Sequence, residues 1–271
     1  MPILSIITVC FNAAEELKNT FNSFLQQIDI KNADIEYLII DNNSEDNTTN
    51  VISWFEESLK ESRVILRYVR ESDKGIYDAM NKGIALANGE WVILLNAGDT
   101  FYKNSTVHDL FPFLVSTADV LVGSYNRLDP SGNNIVMPPE VKRIKDRMVF
   151  CHQALIFRGV MHKNYFYNLN YHIAADYDAV LRMYLDDKRF EYTNVCIVNY
   201  DVTGVSAKRM IQTHREIYKI RNDNNAIDNK LKAFMIYNYG LVKRVILQKM
   251  PQNVRWAIVG FRNRHFGRKY I

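Results

Sequence analysis

Ala87-Asn88-Gly89-Glu90-Trp91-Val92-Ile93-Leu94-Leu95-Asn96-Ala97-Gly98-Asp99 is the stretch on which the reading of the fold turns. Trp91 to Leu95 are apolar without alternation, the pattern of a strand covered on both faces, as in a parallel sheet between helices. Asn96, Gly98 and Asp99 end the run with turn formers. In open α/β sheets ligands sit beyond the carboxyl ends of the strands. An acid at that point can hold a divalent cation that bridges two phosphates. Taken alone, Asp99 reads equally well as a cap for a following helix, with Ser105 and Thr106 as rival caps.

Upstream, three strand–helix units lead into this stretch. Ile3 to Val9 is a β-branched run, and Ala14, Leu17, Phe21, Phe24, Leu25 and Ile28 then recur at helical spacing. Tyr37 to Ile40 is a second strand, ending in the polar cluster Asp41 to Thr48 before a helix with Val51, Ile52, Phe55 and Leu59. Arg63 to Val69 is a third, followed by a helix with Ile76, Met80, Ile84 and Ala87 that Gly89 closes. Downstream, Asp119 to Tyr125, Ala154 to Phe157 and Phe190 to Tyr200 read as further strands. Asp129 to Asn133 reads as a turn, residues 135 to 150 as a polar excursion, and Ala175-Asp176 as a helix start. The economical fold is α/β, a right-handed, mostly parallel sheet flanked by helices.

Composition narrows the class. The chain has 271 residues, of which 48 % are hydrophobic, enough for a sizeable core. Cys10, Cys151 and Cys196 are odd in number and contain no CxxC, which argues for a reducing, cytoplasmic setting and against structural zinc. The apolar start lacks a preceding Lys or Arg and reads as a strand rather than a signal peptide. Charge is uneven: residues 207–271 carry 15 Lys and Arg against 3 Asp and Glu, whereas residues 1–206 carry 19 against 27. A basic tail on an acidic body points to an anionic partner, either membrane headgroups or nucleic acid.

Four motifs, in order and spacing, resemble the GT-A fold glycosyltransferases of the inverting bacterial family 2 type. They are Ile6-Ile7-Thr8-Val9-Cys10-Phe11-Asn12; Ile39-Ile40-Asp41-Asn42-Asn43-Ser44-Glu45-Asp46; Asp73 to Gly83; and Leu94-Leu95-Asn96-Ala97-Gly98-Asp99. The resemblance spans residues 2 to 206. It implies a GT-A domain over 1–206 with a C-terminal helical appendage over 207–271. It further implies transfer of a sugar, with inversion, from a nucleotide diphosphate-sugar to an acceptor hydroxyl.

The resemblance also assigns roles. Asp41 would accept the imide N–H of a uracil, with Thr8, Phe11 and Asn12 lining the same base pocket. Asp73 lies on a loop that contacts the nucleotide, and Lys82 can reach a phosphate or remain a solvated lysine. Asn96 and Gly98 stand where the family usually has two acids, so Asp99 alone is left to hold Mn²⁺ or Mg²⁺ with the substrate's phosphates, and Asn96 can bond the ribose. Asp176 resembles the base of the family's Glu-Asp-x-x-Leu motif, with Ala175 in place of the Glu. Asp178 pairs with Arg182 at i,i+4. His152 and Gln153 match positions near the donor sugar or acceptor, and Gly204-Val205-Ser206 resembles a loop that closes over the diphosphate.

In the tail, Ile227, Leu231, Phe234, Leu241, Val242, Val245 and Ile246 share a broad side with lysines and Arg244 interleaved, before Pro251 breaks the helix. Val254, Ile258 and Phe261 repeat the pattern. Such helices either lie on an anionic membrane or pack on the catalytic domain. The expected setting is assembly of a surface polysaccharide or O-antigen repeat on a lipid-linked acceptor, at the inner face of the cell membrane. Two rivals fit less well. A nucleotidyltransferase wants a Gly-rich basic loop near the first strand, which Thr8 to Ala14 lacks. A nucleic-acid-binding protein wants basic and aromatic residues on the sheet body, where the charge is negative, so no nucleic-acid partner is expected.

Overall fold

The computed structural model describes residues 2–129, 132–201, 209–250 and 254. At its centre is β1 (Leu4–Cys10), buried along its whole length. It pairs in parallel with β2 (Ile35–Asp41) on one side and β4 (Trp91–Leu94) on the other, and both of these are buried too. β3 (Ile65–Arg70) adds in parallel to β2 and is half-exposed at the edge. Largely apolar runs therefore became the inner strands, as burial on both faces requires, with Ser5, Thr8 and Glu36 as buried polar exceptions.

Past β4 the sheet becomes mixed. β8 (Leu155–Arg158) runs antiparallel to β4 and to β6 (Val120–Asp129), and β9 (Phe190–Asp201) runs parallel to β6. The short β5 (Thr100–Phe101) pairs with β9, and β7 (Gly132–Val136) forms a hairpin with β6. The expected turn at 129–133 lies in that hairpin, with Pro130 and Ser131 outside the described residues. The segment from 135 is less of an excursion than its polarity suggests. Val136 is buried in β7, and Ile144 is buried with its carbonyl accepting the Tyr177 hydroxyl at 2.8 Å.

Helices cover both faces. α1 (Ala14–Leu25) and α2 (Thr48–Leu59) pack with Leu4 and Ile6 on one side, where Phe21 stacks on Phe55 at 3.9 Å and Tyr37 meets both edge-on. α3 (Ile76–Leu86) and α6 (Ala175–Leu185) pack with Ile7 and Val9 on the other. Between them come the short α4 (Thr106–Leu110) and α5 (Gly159–His162). The buried side of α3 is Ala79, Met80, Gly83 and Ile84, while Ile76, expected inward, is 50 % exposed. Gly89 acts by close approach rather than as a left-handed cap. The helix already ends in an extended Ala87, and a Cβ on Gly89 would fall 2.5 Å from the Ser5 nitrogen.

That crossing is held by a buried acid. Glu36 accepts from Ser5 Oγ at 2.5 Å, from the Asn88 backbone and side-chain amides at 2.8 Å, and from Arg67 at 3.0 Å. Burial pushes its carboxyl up, but these donors together hold it below the usual range.

The helices after β9 differ in attachment. α7 (Met210–Asp223) is fixed to the body: Ile220 is buried, Arg221 donates to the Lys145 carbonyl at 2.7 Å, and Tyr171 donates to Asp223 at 2.8 Å. α8 (Lys230–Lys249) packs on α7 through Ala233 and Tyr237, whose ring stacks on His214 at 5.0 Å. Its other side is open. Among the described residues no helix is long and apolar enough to cross a membrane. The basic segment with Ile258 and Phe261 lies outside the described residues, as does Gly204-Val205-Ser206.

His162 has no exposed surface and stacks on Phe157 at 4.1 Å, with no hydrogen-bond partner on either ring nitrogen among the described residues. Burial drives its pKa from 6.5 down to about 3, so it stays neutral when folded and takes up a proton only on unfolding. Stability is therefore full above pH 6.5 and falls as pH drops toward 3, by about 1.4 kcal/mol per pH unit for this one group. Urea titrations at pH 7 and pH 4.5 will show a smaller loss in His162→Leu than in the parent.

Candidate active site

β1 and β2 end side by side, Cys10 opposite Asp41, β4 ends earlier, Leu94 opposite Ile7, and the polar segments that follow are tied to one another. Asn12 sits at φ 47°, donates its backbone N–H to Ser44 Oγ at 2.8 Å and accepts from the Glu45 amide through Oδ1 at 2.8 Å. Asp46 receives the Thr48 amide at 3.0 Å and the Ala14 amide at 3.1 Å, so one carboxylate caps the starts of both α1 and α2. The Asp73 amide donates to Asn42 Oδ1 at 2.8 Å, and Asp73 Oδ1 accepts from Gly75 at 2.8 Å, where φ is 119°. Burial raises the Asp73 carboxyl above its ordinary value.

The expected nucleotide residues divide by depth. Phe11 is 57 % exposed at the rim, and Asn12, Asp73 and Asn96 retain surface beside it. Thr8 and Asp41 have none. The Thr8 hydroxyl donates to the Leu95 carbonyl at 2.7 Å and lies 2.9 Å from Tyr37 Oη, so it ties three strands together and is not presented to a ligand. Asp41 accepts the Ser44 amide and hydroxyl on one oxygen and the Tyr68 hydroxyl on the other, with Arg70 Nε at 3.7 Å. Both therefore belong to the scaffold beneath the exposed residues. Lys82 is turned back onto its own loop, donating to the Ser72 carbonyl at 2.6 Å and pairing with Glu71 at 3.1 Å. Ser206 lies outside the described residues.

Asp99 is not the cap of the next helix, which starts seven residues later behind Ser105. Its loop is fixed by Thr20, whose hydroxyl accepts from the Gly98 amide at 2.9 Å and lies 2.8 Å from the Asp99 carbonyl. Beside it the Asn96 Oδ1 atom is buried without a hydrogen-bond partner among the described residues. Asn96 Oδ1 and the Asp99 carboxylate are oxygen groups of the kind a hard cation accepts. No cluster of three or more His, Cys, Asp or Glu side chains suited to a metal occurs among the described residues. Any ion here would draw its remaining oxygens from the ligand and water.

Asp176, in the first turn of α6, comes from the other half of the chain. Its Oδ1 lies 3.0 Å from the Tyr77 hydroxyl, which also lies 2.7 Å from the Ile173 carbonyl. Tyr77 and Tyr167 pack at 5.4 Å, and Tyr167 Oη lies 2.9 Å from His152 Nε2. Burial, then Asp176, hold the Tyr77 and Tyr167 phenols well above their ordinary value, so both stay neutral donors. Burial lowers His152 and Asp176 only partly offsets it. Gln153 is half-exposed and accepts from Cys151 Sγ at 3.3 Å, while His152 is buried. Asp178 holds Arg182 at 2.9 Å, as its spacing suggested.

Burial raises the Cys151 thiol and the Tyr200 phenol, and the charges of Asp99 and Asp176 raise both further, so the two carboxylates lie in the neighbourhood of the same two side chains. Of Tyr77, Tyr167, Cys151 and Tyr200, which surround them, only Tyr77 lay inside a recognised motif.

A family model described as "Glycosyl transferase family 2" matches residues 5–190. A PGL/p-HBAD biosynthesis glycosyltransferase from Mycobacterium bovis is 29 % identical over 214 residues, covering 75 % of this chain and 78 % of that protein. Among solved structures, S. aureus TarS 1-349 superposes with TM-score 0.60 at 17 % identity, covering 81 % of this chain and 65 % of that one. TarS structures include complexes with UDP-GlcNAc and with UDP. The mannosyltransferase PcManGT from Pyrobaculum calidifontis, in complex with GDP-Man and Mn²⁺, superposes with TM-score 0.62 at 13 % identity, covering 97 % of this chain and 81 % of that one.

Replacing Thr8 by Val keeps the shape but strands the fully buried Tyr37 hydroxyl and the Leu95 carbonyl. The expected loss is about 1–3 kcal/mol in urea-induced unfolding.

Proposed function

The chain belongs to glycosyl transferase family 2, and on that premise we propose that it moves a sugar from a UDP-sugar to an acceptor hydroxyl with inversion at the anomeric carbon. The observation that carries this reading, beside the family match, is a pair of anchored acids: Asp99 on the loop after β4 that Thr20 fixes, and Asp176 in the first turn of α6 against the Tyr77 hydroxyl of α3. Asp176 takes the proton from the acceptor hydroxyl as its oxygen bonds to the anomeric carbon. The bond from that carbon to the diphosphate oxygen breaks at the same time, and UDP leaves with the electron pair. The neutral Tyr77 hydroxyl orients the Asp176 carboxylate from behind. Asp99 and Asn96 would hold Mn²⁺ or Mg²⁺, which when bound neutralises charge developing on the diphosphate.

Phe11, Asn12 and Asp73 form the rim against which base and ribose lie, with Thr8 and Asp41 fixing that rim from below. Lys82 would reach a phosphate only on leaving Ser72 and Glu71. Gln153, with His152 behind it, faces the sugar or acceptor, and Ser206 belongs to the loop that covers the diphosphate. TarS structures with UDP and UDP-GlcNAc support the choice of nucleotide.

The acceptor is a saccharide on a lipid carrier, and the protein works at the cytoplasmic face of the membrane in surface polysaccharide or O-antigen assembly. Support comes from the open side of α8. Leu231, Phe234, Met235, Tyr239, Val242 and Ile246 are each more than half exposed. They lie on a helix with Lys230, Lys232, Lys243, Arg244 and Lys249 and no acid. Apolar contact area combined with positive charge suits an anionic lipid surface.

UDP with Mn²⁺ should raise Tm in a thermal shift assay, by about 2.7 kcal/mol of added stability at a hundredfold excess over Kd. Asp99→Asn should lose the metal-dependent part. Asp176→Asn should keep the shift while UDP release from a panel of UDP-sugars falls by a factor on the order of 10²–10⁴. A D176N variant with full turnover would remove Asp176 from the mechanism. Co-sedimentation with phosphatidylglycerol vesicles at low salt should be lost on Phe234→Asp with Val242→Asp and weakened by added salt. Equal recovery of parent and variant would rule out α8 as the membrane contact.

A further inference from the structure

The loop leading into α6 ends in backbone groups with an unusual partner. The amides of His172, Ile173 and Ala174 all donate to the Glu216 carboxylate, at 3.0 Å to one oxygen and at 2.8 and 3.0 Å to the other. Ala174 is the N-cap of α6 and provides no side-chain cap. The anion at this helix start is therefore supplied by α7, 40 residues and more along the chain. Three consecutive amides converging on one carboxylate form charge-assisted bonds whose loss exposes three donors together.

The opposite side of the same segment is held by α3. The Ile173 carbonyl lies 2.7 Å from the Tyr77 hydroxyl, the group that also lies 3.0 Å from Asp176 Oδ1. Ile173 is thus gripped through its N–H by Glu216 and through its C=O by Tyr77. A phenol has one proton, so the placing of that carbonyl decides how Tyr77 divides its hydrogen bond between the peptide and the carboxylate.

From this geometry we infer that Glu216 is a positioning residue for transfer: it clamps residues 172–174 so that α6 presents Asp176 to the acceptor oxygen. It touches no substrate and acts through the backbone. The inference rests on the reading of Asp176 as the base and extends it beyond the family match, which ends at residue 190. The helix carrying Glu216 is rigid enough for the task. Its far end is anchored by Arg221 to the Lys145 carbonyl, by Asp223 to Tyr171 and, just past its end, by Asn224 to Asp178 of α6 at 2.9 Å. α7 accordingly holds the first turn of α6 at two points, Glu216 before it and Asn224 within it. A base displaced by about an ångström loses on the order of a hundredfold in rate.

The test is made on the full chain with Glu216→Ala, Glu216→Gln and Asp176→Asn. Hydrogen exchange followed by mass spectrometry reads the clamp without any substrate. E216A should accelerate exchange in peptides covering 171–176 by at least tenfold while leaving β1, β2 and β4 unchanged. Kinetics read the role, using whichever UDP-sugar of a panel the parent turns over fastest. E216A should lower kcat by tenfold or more with the donor KM within twofold, and E216Q, which keeps one acceptor oxygen, should fall between. Unchanged exchange, unchanged kcat, or a kcat loss that only follows a falling folded fraction with KM rising in step overturns the inference. If D176N is inactive and E216A is normal, only the role of Glu216 fails. If D176N is itself fully active, the assignment of the base fails and the positioning role with it.

Discussion

β1 is enclosed on both faces by helices and on both edges by strands, and it leaves no surface for a polar side chain along its length. Functional groups are thereby forced beyond its end. The same holds for β2 and β4, and since the three run parallel in register, their polar continuations emerge side by side. The apolar core excludes everything that needs water or a ligand. Where polar atoms do enter, as at Thr8, Asp41 and Glu36, each is matched by partners, because an unpaired group there costs more than it can return.

The second half of the molecule obeys a looser rule. Its strands run both ways, and its polar groups are arranged by long-range contacts between tyrosines, one histidine and two helix starts. Asp176 gains its surroundings from α3, from the Tyr167 loop and from α7, so three other parts of the chain assemble its environment. Such a site is rigid only if each part is anchored independently. Asn81 illustrates this, for its amide both donates to the Tyr167 carbonyl at 2.9 Å and accepts the Tyr167 amide at 2.8 Å.

The parallel core could be read from sequence because burial on both faces leaves largely apolar runs, and these ended within one residue of the strands. The positions of Asp99, just past β4, and of Asp176, in the first turn of α6, could be read because each follows or opens a regular element. Depth was harder to see. Nothing local distinguishes Thr8, whose hydroxyl is spent on Leu95, from a threonine that lines a pocket. Asp41 likewise resembles a ligand-binding acid until Ser44, Tyr68 and Arg70 are seen around it. Glu216 carries no signal at all: a glutamate in a charged amphipathic helix acquires meaning only when α7 is docked. The β7 hairpin was missed for a milder reason, since a strand with one exposed face and polar residues at its start reads as loop.

The three thiols carry a practical consequence. Cys10, Cys151 and Cys196 are free and buried, and burial pushes each above its ordinary pKa, Cys10 to about 12. Only the thiolate is nucleophilic, so burial and a raised pKa both slow all three toward thiol reagents at neutral pH. A cysteine introduced at the rim or on the open side of α8 would react ahead of them with a maleimide dye, which suits site-specific labelling for distance measurements by fluorescence.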